Sequence, residues 1–208
     1  MILIGQYDSP FVRRVGIALR LYGMAFEHRP WSVFGDADKI RVLNPLVRVP
    51  TLVLEDGEVL IESGAILDHL DASAGPERTL MPREGVARRR ALKTVSLAMG
   101  LADKAVALFY ERRLHDKVSD AWSTRCRQQI LGVAAALDQE RAASQHPYWH
   151  GEQLGHADIA AAVALRFASE AHPGLIDRAN CPALTTHAAH LEAMPVFQEI
   201  AQAFVPPA

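Results

Sequence analysis

The chain has 208 residues, of which 50% are hydrophobic and 22% charged, and its formal net charge is −2. This length allows one large domain or two small ones, each with its own core. The near-neutral charge excludes the strongly basic surface that binds nucleic acid or anionic membranes. Without a bilayer-length apolar stretch or a signal-peptide pattern, we expect a cytoplasmic protein with no membrane partner. Its two cysteines, Cys126 and Cys181, are then expected to be reduced thiols, with a disulfide or a metal role as the alternatives.

The first two elements form a strand followed by a helix. "MILIGQ" predicts a strand, and apolar residues that recur at helical spacing from Phe11 predict a helix that stops at Gly23. The three arginines Arg13, Arg14 and Arg20 fall largely off the apolar face of this helix.

The chain up to about residue 74 continues with short alternating elements. "AFEHRPW" predicts a second strand, and residues 36–43 predict a short helix. "TLVLEDGEVLIES" predicts two strands joined by Asp56-Gly57, a favoured hairpin dipeptide. Ser63 then caps a helix that ends at Gly75. The order strand, helix, strand, helix, hairpin, helix suits a small mixed sheet with helices packed on it.

After the polar segment "GPERTLMPRE", which is typical of a linker, all remaining elements are predicted to be helices. "ADIAAAVALRFA" is apolar nearly all round and predicts a central, buried helix. Asp158 lies near its start, where a carboxylate can accept hydrogen bonds from free backbone N–H groups. A last helix runs through "ALTTHAAHLEAM", and its histidines, His187 and His190, are expected on the surface. The tail "VPPA" is not expected to be well ordered.

Four segments in this order resemble the glutathione S-transferase family: "SPFVRRVGIAL", "NPLVRVPTL", "LIESGAILDHLD" and "HADIAAAV". The resemblance implies a thioredoxin-like α/β domain of order βαβαββα over residues 1–75, a linker over 76–85 and an all-α domain over 86–208. It also implies that "HADIAAAV" is the family's buried N-capping segment. Gly155 stands where the family usually has a Ser or Thr hydroxyl, so Asp158 would serve as the N-cap group alone.

The same resemblance implies a glutathione site in the first domain. A cis bond between Val49 and Pro50 would expose the Val49 backbone to the cysteinyl main chain of glutathione, and a trans turn is the alternative. Ser63 would bind the γ-glutamyl carboxylate at a helix N-terminus, and Glu62 would bind the ammonium group. Without the family, both would be read as helix-end residues. Arg48 is a candidate for the glycyl carboxylate, with a solvated surface arginine as the alternative.

The turn after the first strand has no cysteine. Neither Ser9 nor Val12 can take part in thiol–disulfide exchange, which excludes dithiol glutaredoxin chemistry and argues against a cysteine-type transferase. A hydroxyl at this position can donate a hydrogen bond to the thiolate of glutathione, helped by the positive end of the helix. Ser9 is therefore the predicted catalytic donor. Tyr7 is its rival, and backbone amides are a third possibility.

The resemblance implies a glutathione transferase that attacks a small hydrophobic electrophile bound between the two domains. A non-catalytic glutathione-binding or regulatory protein, or a glutathione-dependent peroxidase or dehalogenase, is the alternative. The family also implies a homodimer, with the first domain of one subunit against the second domain of its partner. We expect no metal cofactor, because Pro147 interrupts the pair His146 and His150 and no third ligand accompanies His187 and His190.

Overall fold

The computed structural model describes residues 1–204 and residue 206 and divides into two compact units. The first unit is Met1–Arg83 together with the chain from Met194 onward, and the second is Glu84–Ala193. The domain boundaries inferred from the sequence assigned all residues from 86 to 208 to the second domain. The C-terminal segment instead groups with the first unit. The expectation about the tail falls mainly on residues outside the described part of the chain.

The elements of the first unit follow the predicted order. They are β1 (Ile2–Ile4), α1 (Pro10–Leu21), β2 (Glu27–Arg29), α2 (Ala37–Leu43), β3 (Thr51–Val53), β4 (Val59–Ile61) and α3 (Ser63–Ala74). The second unit holds α4 (Gly85–Leu114), α5 (Asp120–Ala142), α6 (His156–Ala171) and α7 (Pro182–Glu192), and α8 (Pro195–Glu199) follows in the C-terminal segment. The thioredoxin-like βαβαββα arrangement followed by an all-helical part is thus confirmed. The short helix α8 was not predicted.

The sheet has the strand order β2-β1-β3-β4, with β1 parallel to β2 and the other two pairs antiparallel. Its core consists of fully buried apolar side chains from the sheet, α1 and α3. They are Leu3, Ile4, Val12, Val15, Leu19, Leu52, Ile66 and Leu70. The apolar stripe that helical spacing predicts on α1, which includes Val12, Val15 and Leu19, thus lies in the core.

Arg13 connects α1 to the C-terminal segment. Its side chain is 2% exposed, and it donates hydrogen bonds from Nε to the carbonyl of Ile200, at 2.7 Å, and from Nη2 to that of Phe197, at 2.8 Å. A Cβ at Gly16 would lie 2.8 Å from the side chain of Ile200, so α1 and this segment are in close contact. The sequence pattern places Arg13 largely off the apolar face of α1, yet the structure buries it. Helical periodicity does not reveal a segment packed on the polar face from far along the chain.

In the second unit, α6 is buried along most of its length, as its composition predicts. Its N-cap residue is Gly155, and Asp158 is the third residue of the helix. The Asp158 carboxylate accepts the N–H of Gly155 at 2.9 Å and that of Trp149 at 2.8 Å. Glycine has no side chain, so this carboxylate alone caps the helix, from inside its first turn rather than from the N-cap position.

His187 completes this buried cluster. Its Nε2 lies 2.8 Å from Oδ1 of Asp158, and the two side chains are only 4% and 2% exposed. The expectation of a surface position for His187 was wrong, because the face of α7 that carries it packs against α6. Among the described residues, no group of three or more His, Cys, Asp or Glu side chains could hold a metal ion. None of the described helices combines the length and the apolar character required to cross a membrane.

We predict that Asp158→Asn lowers the free energy of unfolding by about 3 kcal/mol, because an amide cannot accept hydrogen bonds at both of its ends. Urea unfolding of Asp158→Asn, His187→Leu and the double variant would also show a coupling of about 1–3 kcal/mol between the two residues. Asp103→Asn is the control, because this carboxylate is 54% exposed beside Lys104. It should cost less than about 1 kcal/mol. If Asp158→Asn and Asp103→Asn lowered the free energy of unfolding by the same small amount, the proposed role of the buried Asp158 carboxylate as a helix cap would be wrong.

Candidate functional site

Strand pairing brings the predicted site segments to one edge of the sheet. Ile4 pairs with Thr51 across β1 and β3, and Thr51 pairs with Ile61 across β3 and β4. These three residues mark the ends of their strands at the same edge. The segments that adjoin the sheet there are residues 5–9, 49–50 and 62–63. The three motifs, which are far apart in sequence, therefore lie side by side.

Gly5 shows how closely these segments pack. Its φ of +124° lies in a region that side chains rarely adopt, and a Cβ there would lie 2.5 Å from Val12 and 2.7 Å from Val49. Only glycine fits between the two valines. This contact places Val49 against the first turn of α1.

Ser9 is the N-cap residue of α1. Its φ of −69° and ψ of 122° are extended, and its Oγ accepts the N–H of Val12 at 3.5 Å. At that length the bond is weak, and because Oγ is the acceptor, the hydroxyl hydrogen is available to a ligand. The half-buried hydroxyl thus lies at the positive end of a 12-residue helix. It can donate a hydrogen bond to an anionic atom placed there.

Tyr7 faces a different environment. Its ring stacks on His28, with centroids 3.8 Å apart, and the ring carbon that carries the hydroxyl would lie 3.5 Å from a Cβ at Gly16. Gly16 is seven residues beyond Ser9, which is roughly 10 Å along the helix axis. Burial raises the pKa of Tyr7 to about 12, opposed by the positive charge of Arg20. The hydroxyl is therefore neutral at physiological pH and lies away from the N-terminus of α1.

The turn before β3 presents backbone rather than side chains. The peptide bond between Val49 and Pro50 is cis. The carbonyl of Arg48 accepts hydrogen bonds from the side chains of Asn44, at 2.9 Å, and Thr51, at 3.3 Å. Within the described part of the chain, the N–H and C=O of Val49 make no hydrogen bond. They can pair with an extended peptide as a further strand would.

Glu62 and Ser63 form the start of α3. Glu62 is the N-cap residue, with a φ of +64°, and its side chain makes no capping bond. Such a backbone conformation costs a non-glycine residue about 1 kcal/mol and is typical of ligand sites. The Glu62 carboxylate, 54% exposed, lies 3.4 Å from Nη1 of Arg48. Ser63 was expected to be the cap, but it is the first helical residue, and its hydroxyl oxygen accepts a hydrogen bond from Nη2 of Arg14 at 2.7 Å.

Arg14 is the residue that the sequence analysis missed. It was expected off the buried face of α1, yet it is only 5% exposed. Burial lowers its pKa to about 10, opposed by the negative charge of Glu62, so it stays charged at neutral pH. A signal was present, since Arg14 shares a helix face with Pro10 and Ala18, four residues away on either side and both buried. The positive charge of Arg14 therefore lies beneath the first turn of α3, in addition to the positive end of that helix.

These groups together suit a short peptide that carries a carboxylate at one end and a reactive anion further along. The N-terminus of α3 and Arg14 attract the carboxylate. The Val49 backbone can pair with the peptide main chain, and Ser9 can donate to the second anion at the start of α1. The exposed pair of Arg48 and Glu62 offers one charge of each sign to the termini of such a peptide.

Tyr7→Phe should reduce the loss of stability above pH 10. Because the pKa of Tyr7 is about 12 in the folded chain and about 10 when exposed, the unfolded state ionises first. The contribution of neutral Tyr7 to the free energy of unfolding is therefore complete below pH 10. It declines as the pH rises towards 12, by at most about 1.4 kcal/mol per pH unit. Urea unfolding midpoints between pH 8 and pH 11.5 would measure this. Parallel profiles for wild type and Tyr7→Phe would contradict the buried environment.

Comparison with protein-family models gives two matches. The "Glutathione S-transferase, N-terminal domain" matches residues 3–78, and the "Glutathione S-transferase, C-terminal domain" matches residues 120–190. The chain is 32% identical over 113 residues to the "Uncharacterized GST-like protein YibF" of Escherichia coli (strain K12), covering 54% of this chain and 55% of that protein. It is 24% identical over 174 residues to "Glutathione S-transferase U4" of Arabidopsis thaliana, covering 79% of this chain and 70% of that protein.

Solved structures give the same result. A glutathione S-transferase from Methylobacterium radiotolerans, in complex with glutathione sulfonate, has a TM-score of 0.89 at 30% identity and covers 100% of this chain and 98% of its own. A glutathione transferase family member from Pseudomonas fluorescens Pf-5, with bound glutathione, has a TM-score of 0.82 at 28% identity, covering 100% and 99%. Both the domain matches and the shared fold thus extend over most of the sequence, and the chain belongs to the glutathione S-transferase family.

Proposed function

We propose that the protein binds reduced glutathione and activates its thiol, as the thiolate, for attack on a small hydrophobic electrophile. The observation that carries this proposal is the position of the Ser9 hydroxyl at the N-terminus of α1, on the same sheet edge as the N-terminus of α3. Glutathione in the structure from Pseudomonas fluorescens and glutathione sulfonate in that from Methylobacterium radiotolerans support the choice of ligand.

Each part of glutathione then has a complementary group at the sheet edge. The γ-glutamyl carboxylate binds at the first turn of α3 with the Ser63 hydroxyl, and Glu62 binds the ammonium group. The cysteinyl main chain pairs with the Val49 backbone beside cis Pro50, and the glycyl carboxylate pairs with Arg48. In the free protein the Arg48 and Glu62 side chains pair with each other, 3.4 Å apart. Binding of glutathione separates this exposed pair, and each side chain then pairs with the opposite charge at one end of the ligand.

Activation of the thiol needs only a modest stabilisation. A free thiol has a pKa of about 8.5, and lowering it by ~2 units requires ~2.7 kcal/mol of preference for the thiolate. One charge-assisted hydrogen bond from the Ser9 hydroxyl, together with the helix N-terminus, supplies an effect of that size. Tyr7 is the less suitable donor, because its hydroxyl is buried near Gly16 and Glu199 rather than at the start of α1.

The decisive experiment for Ser9 is calorimetric titration with reduced glutathione, combined with ultraviolet absorbance of the bound thiolate as a function of pH. In Ser9→Ala we expect the pKa of the bound thiol to rise by about 1–2 units, with conjugation of a haloaromatic electrophile at neutral pH reduced about 10–100-fold. Glutathione affinity should change little. Tyr7→Phe is the matched control, since it also removes one hydroxyl and should leave the thiol pKa unchanged.

Other results would point to the alternative functions. An unchanged thiol pKa in Ser9→Ala would contradict the role of Ser9. Turnover of hydroperoxides, or halide release, without conjugation would indicate a peroxidase or a dehalogenase. Binding of glutathione without turnover of any of these substrates would favour a regulatory role. A wild-type protein that does not bind glutathione would refute the proposed function.

The proposal includes a homodimer in the cytoplasm. Val42 and Leu46, in and just after α2 and four residues apart in the sequence, are two large aliphatic side chains that are 84% and 58% exposed. We expect a second copy of the chain to cover them. Light scattering at micromolar concentration should give twice the 22.8 kDa chain mass, and Leu46→Glu should shift the mass toward the monomer. A monomeric wild type would contradict this part of the proposal.

A further inference from the structure

Arg14 is a buried cation that no carboxylate of the described residues contacts. Its side chain is 5% exposed, and no ion pair joins it to an acidic residue within the described part of the chain. Nε is buried without a hydrogen-bond partner there, while Nη2 donates to the hydroxyl oxygen of Ser63 at 2.7 Å. Buried charges are normally paired with an opposite charge, because removal from water otherwise destabilises the folded state. Among the described residues, Arg14 is therefore a buried charge with no anion in contact.

The direction of the hydrogen bond between Arg14 and Ser63 is fixed by chemistry. Arginine has donors and no acceptor, so the Ser63 oxygen must be the acceptor. The hydroxyl hydrogen of Ser63 then points to another group. The guanidinium also lies against the first turn of α3, since a Cβ at Gly64 would lie 3.7 Å from Nη2. Three sources of positive potential therefore lie together at this point. They are the Arg14 guanidinium, the hydroxyl hydrogen of Ser63 and the backbone N–H groups in the first turn of α3.

We propose that Arg14 is a positioning residue for ligand selection: it holds the Ser63 hydroxyl as a donor to the α-carboxylate of the γ-glutamyl group. The bound carboxylate supplies the anion that the buried guanidinium lacks. This inference rests on the proposed function, since it requires that glutathione bind at α3. It adds that Arg14, which does not touch the ligand, determines the preference for a ligand with this carboxylate.

Glu62 does not provide this anion in the free protein. Its carboxylate is 54% exposed and lies beside Arg48, so solvent screens its charge. The pKa of Arg14, about 10, also reflects burial as the larger influence and Glu62 as the smaller one. The guanidinium remains positive at neutral pH, where the ligand carboxylate is negative. The attraction therefore operates under physiological conditions.

The test compares two ligands that differ only in the carboxylate. One is reduced glutathione, and the other is 4-aminobutanoyl-Cys-Gly, which keeps the ammonium group and the thiol but lacks the α-carboxylate. Calorimetric titration gives the ratio of their dissociation constants. Wild type should prefer glutathione at least tenfold, and Arg14→Lys and Arg14→Met should reduce that ratio by about tenfold, with the larger loss in Arg14→Met.

Arg13→Lys is the matched control. Arg13 is adjacent on α1 and equally buried, but its hydrogen bonds go to the carbonyls of Phe197 and Ile200. This variant should lose stability in urea without a change in the ligand ratio. Because Arg14 acts through Ser63, Arg14→Lys introduced into Ser63→Ala should change the ratio by less than twofold. Circular dichroism and the unfolding midpoint identify any variant that fails to fold, and Arg14→Lys is the milder of the two replacements.

The outcomes separate this inference from the proposed function. A wild type that discriminates between the ligands, with the same ratio in Arg14→Lys and Arg14→Met, refutes the role of Arg14 and leaves glutathione binding intact. Equal weakening of both ligands assigns Arg14 a purely structural role and also refutes the inference. A wild type that binds neither ligand refutes the inference together with the proposed function. A reduced ratio in the Arg14 variants alone supports it.

Discussion

The antiparallel register of β1, β3 and β4 is the constraint on which the site depends. Side chains alternate across a strand, so a shift of one residue would separate Leu3 from Leu52, which are paired across β1 and β3. The register is therefore fixed by burial of Leu3 and Leu52, both fully inaccessible to solvent. The same register aligns Ile4, Thr51 and Ile61. The site is assembled at the sheet edge as a consequence of core packing.

Different parts of the surface of helix α1 contact different neighbours. Its apolar stripe packs in the core, its N-terminus holds Ser9, and its two consecutive buried arginines point to different partners. Arg13 binds backbone carbonyls of the C-terminal segment, and Arg14 binds the start of α3. Arg13 donates to two backbone carbonyls, whereas among the described residues Arg14 has one hydroxyl partner, an Nε without a hydrogen-bond partner and no carboxylate in contact. This contrast is the reason that Arg14 is proposed to act in ligand recognition.

The second unit relies on a buried polar cluster of a different kind. Asp158 caps α6, contacts His187 on α7 and accepts the Trp149 amide, while the Trp149 indole donates to Glu140 on α5 at 2.9 Å. Each of these groups has a partner, as buried polar atoms require. The cluster joins three helices and the segment before α6. It links these helices by directional hydrogen bonds, in addition to the apolar contacts of alanine-rich α6.

The sequence by itself determined the elements of both units apart from α8, much of the apolar core and the identity of the motif residues. Local signals, which are apolar periodicity and the Asp56-Gly57 turn, sufficed for the elements and the core. The residues of "RVPT" and "ES" were identified through their resemblance to the glutathione S-transferase family. Only the tertiary structure decided the fate of Arg13, Arg14 and His187, all three of which are buried by partners 29 to 187 residues away. A polar side chain is compatible with either solvent or a buried partner, and helical spacing does not distinguish the two. Whether such a side chain is exposed or buried depends on the distant chain segment that covers the polar face of its helix. That segment is known only once the fold is known.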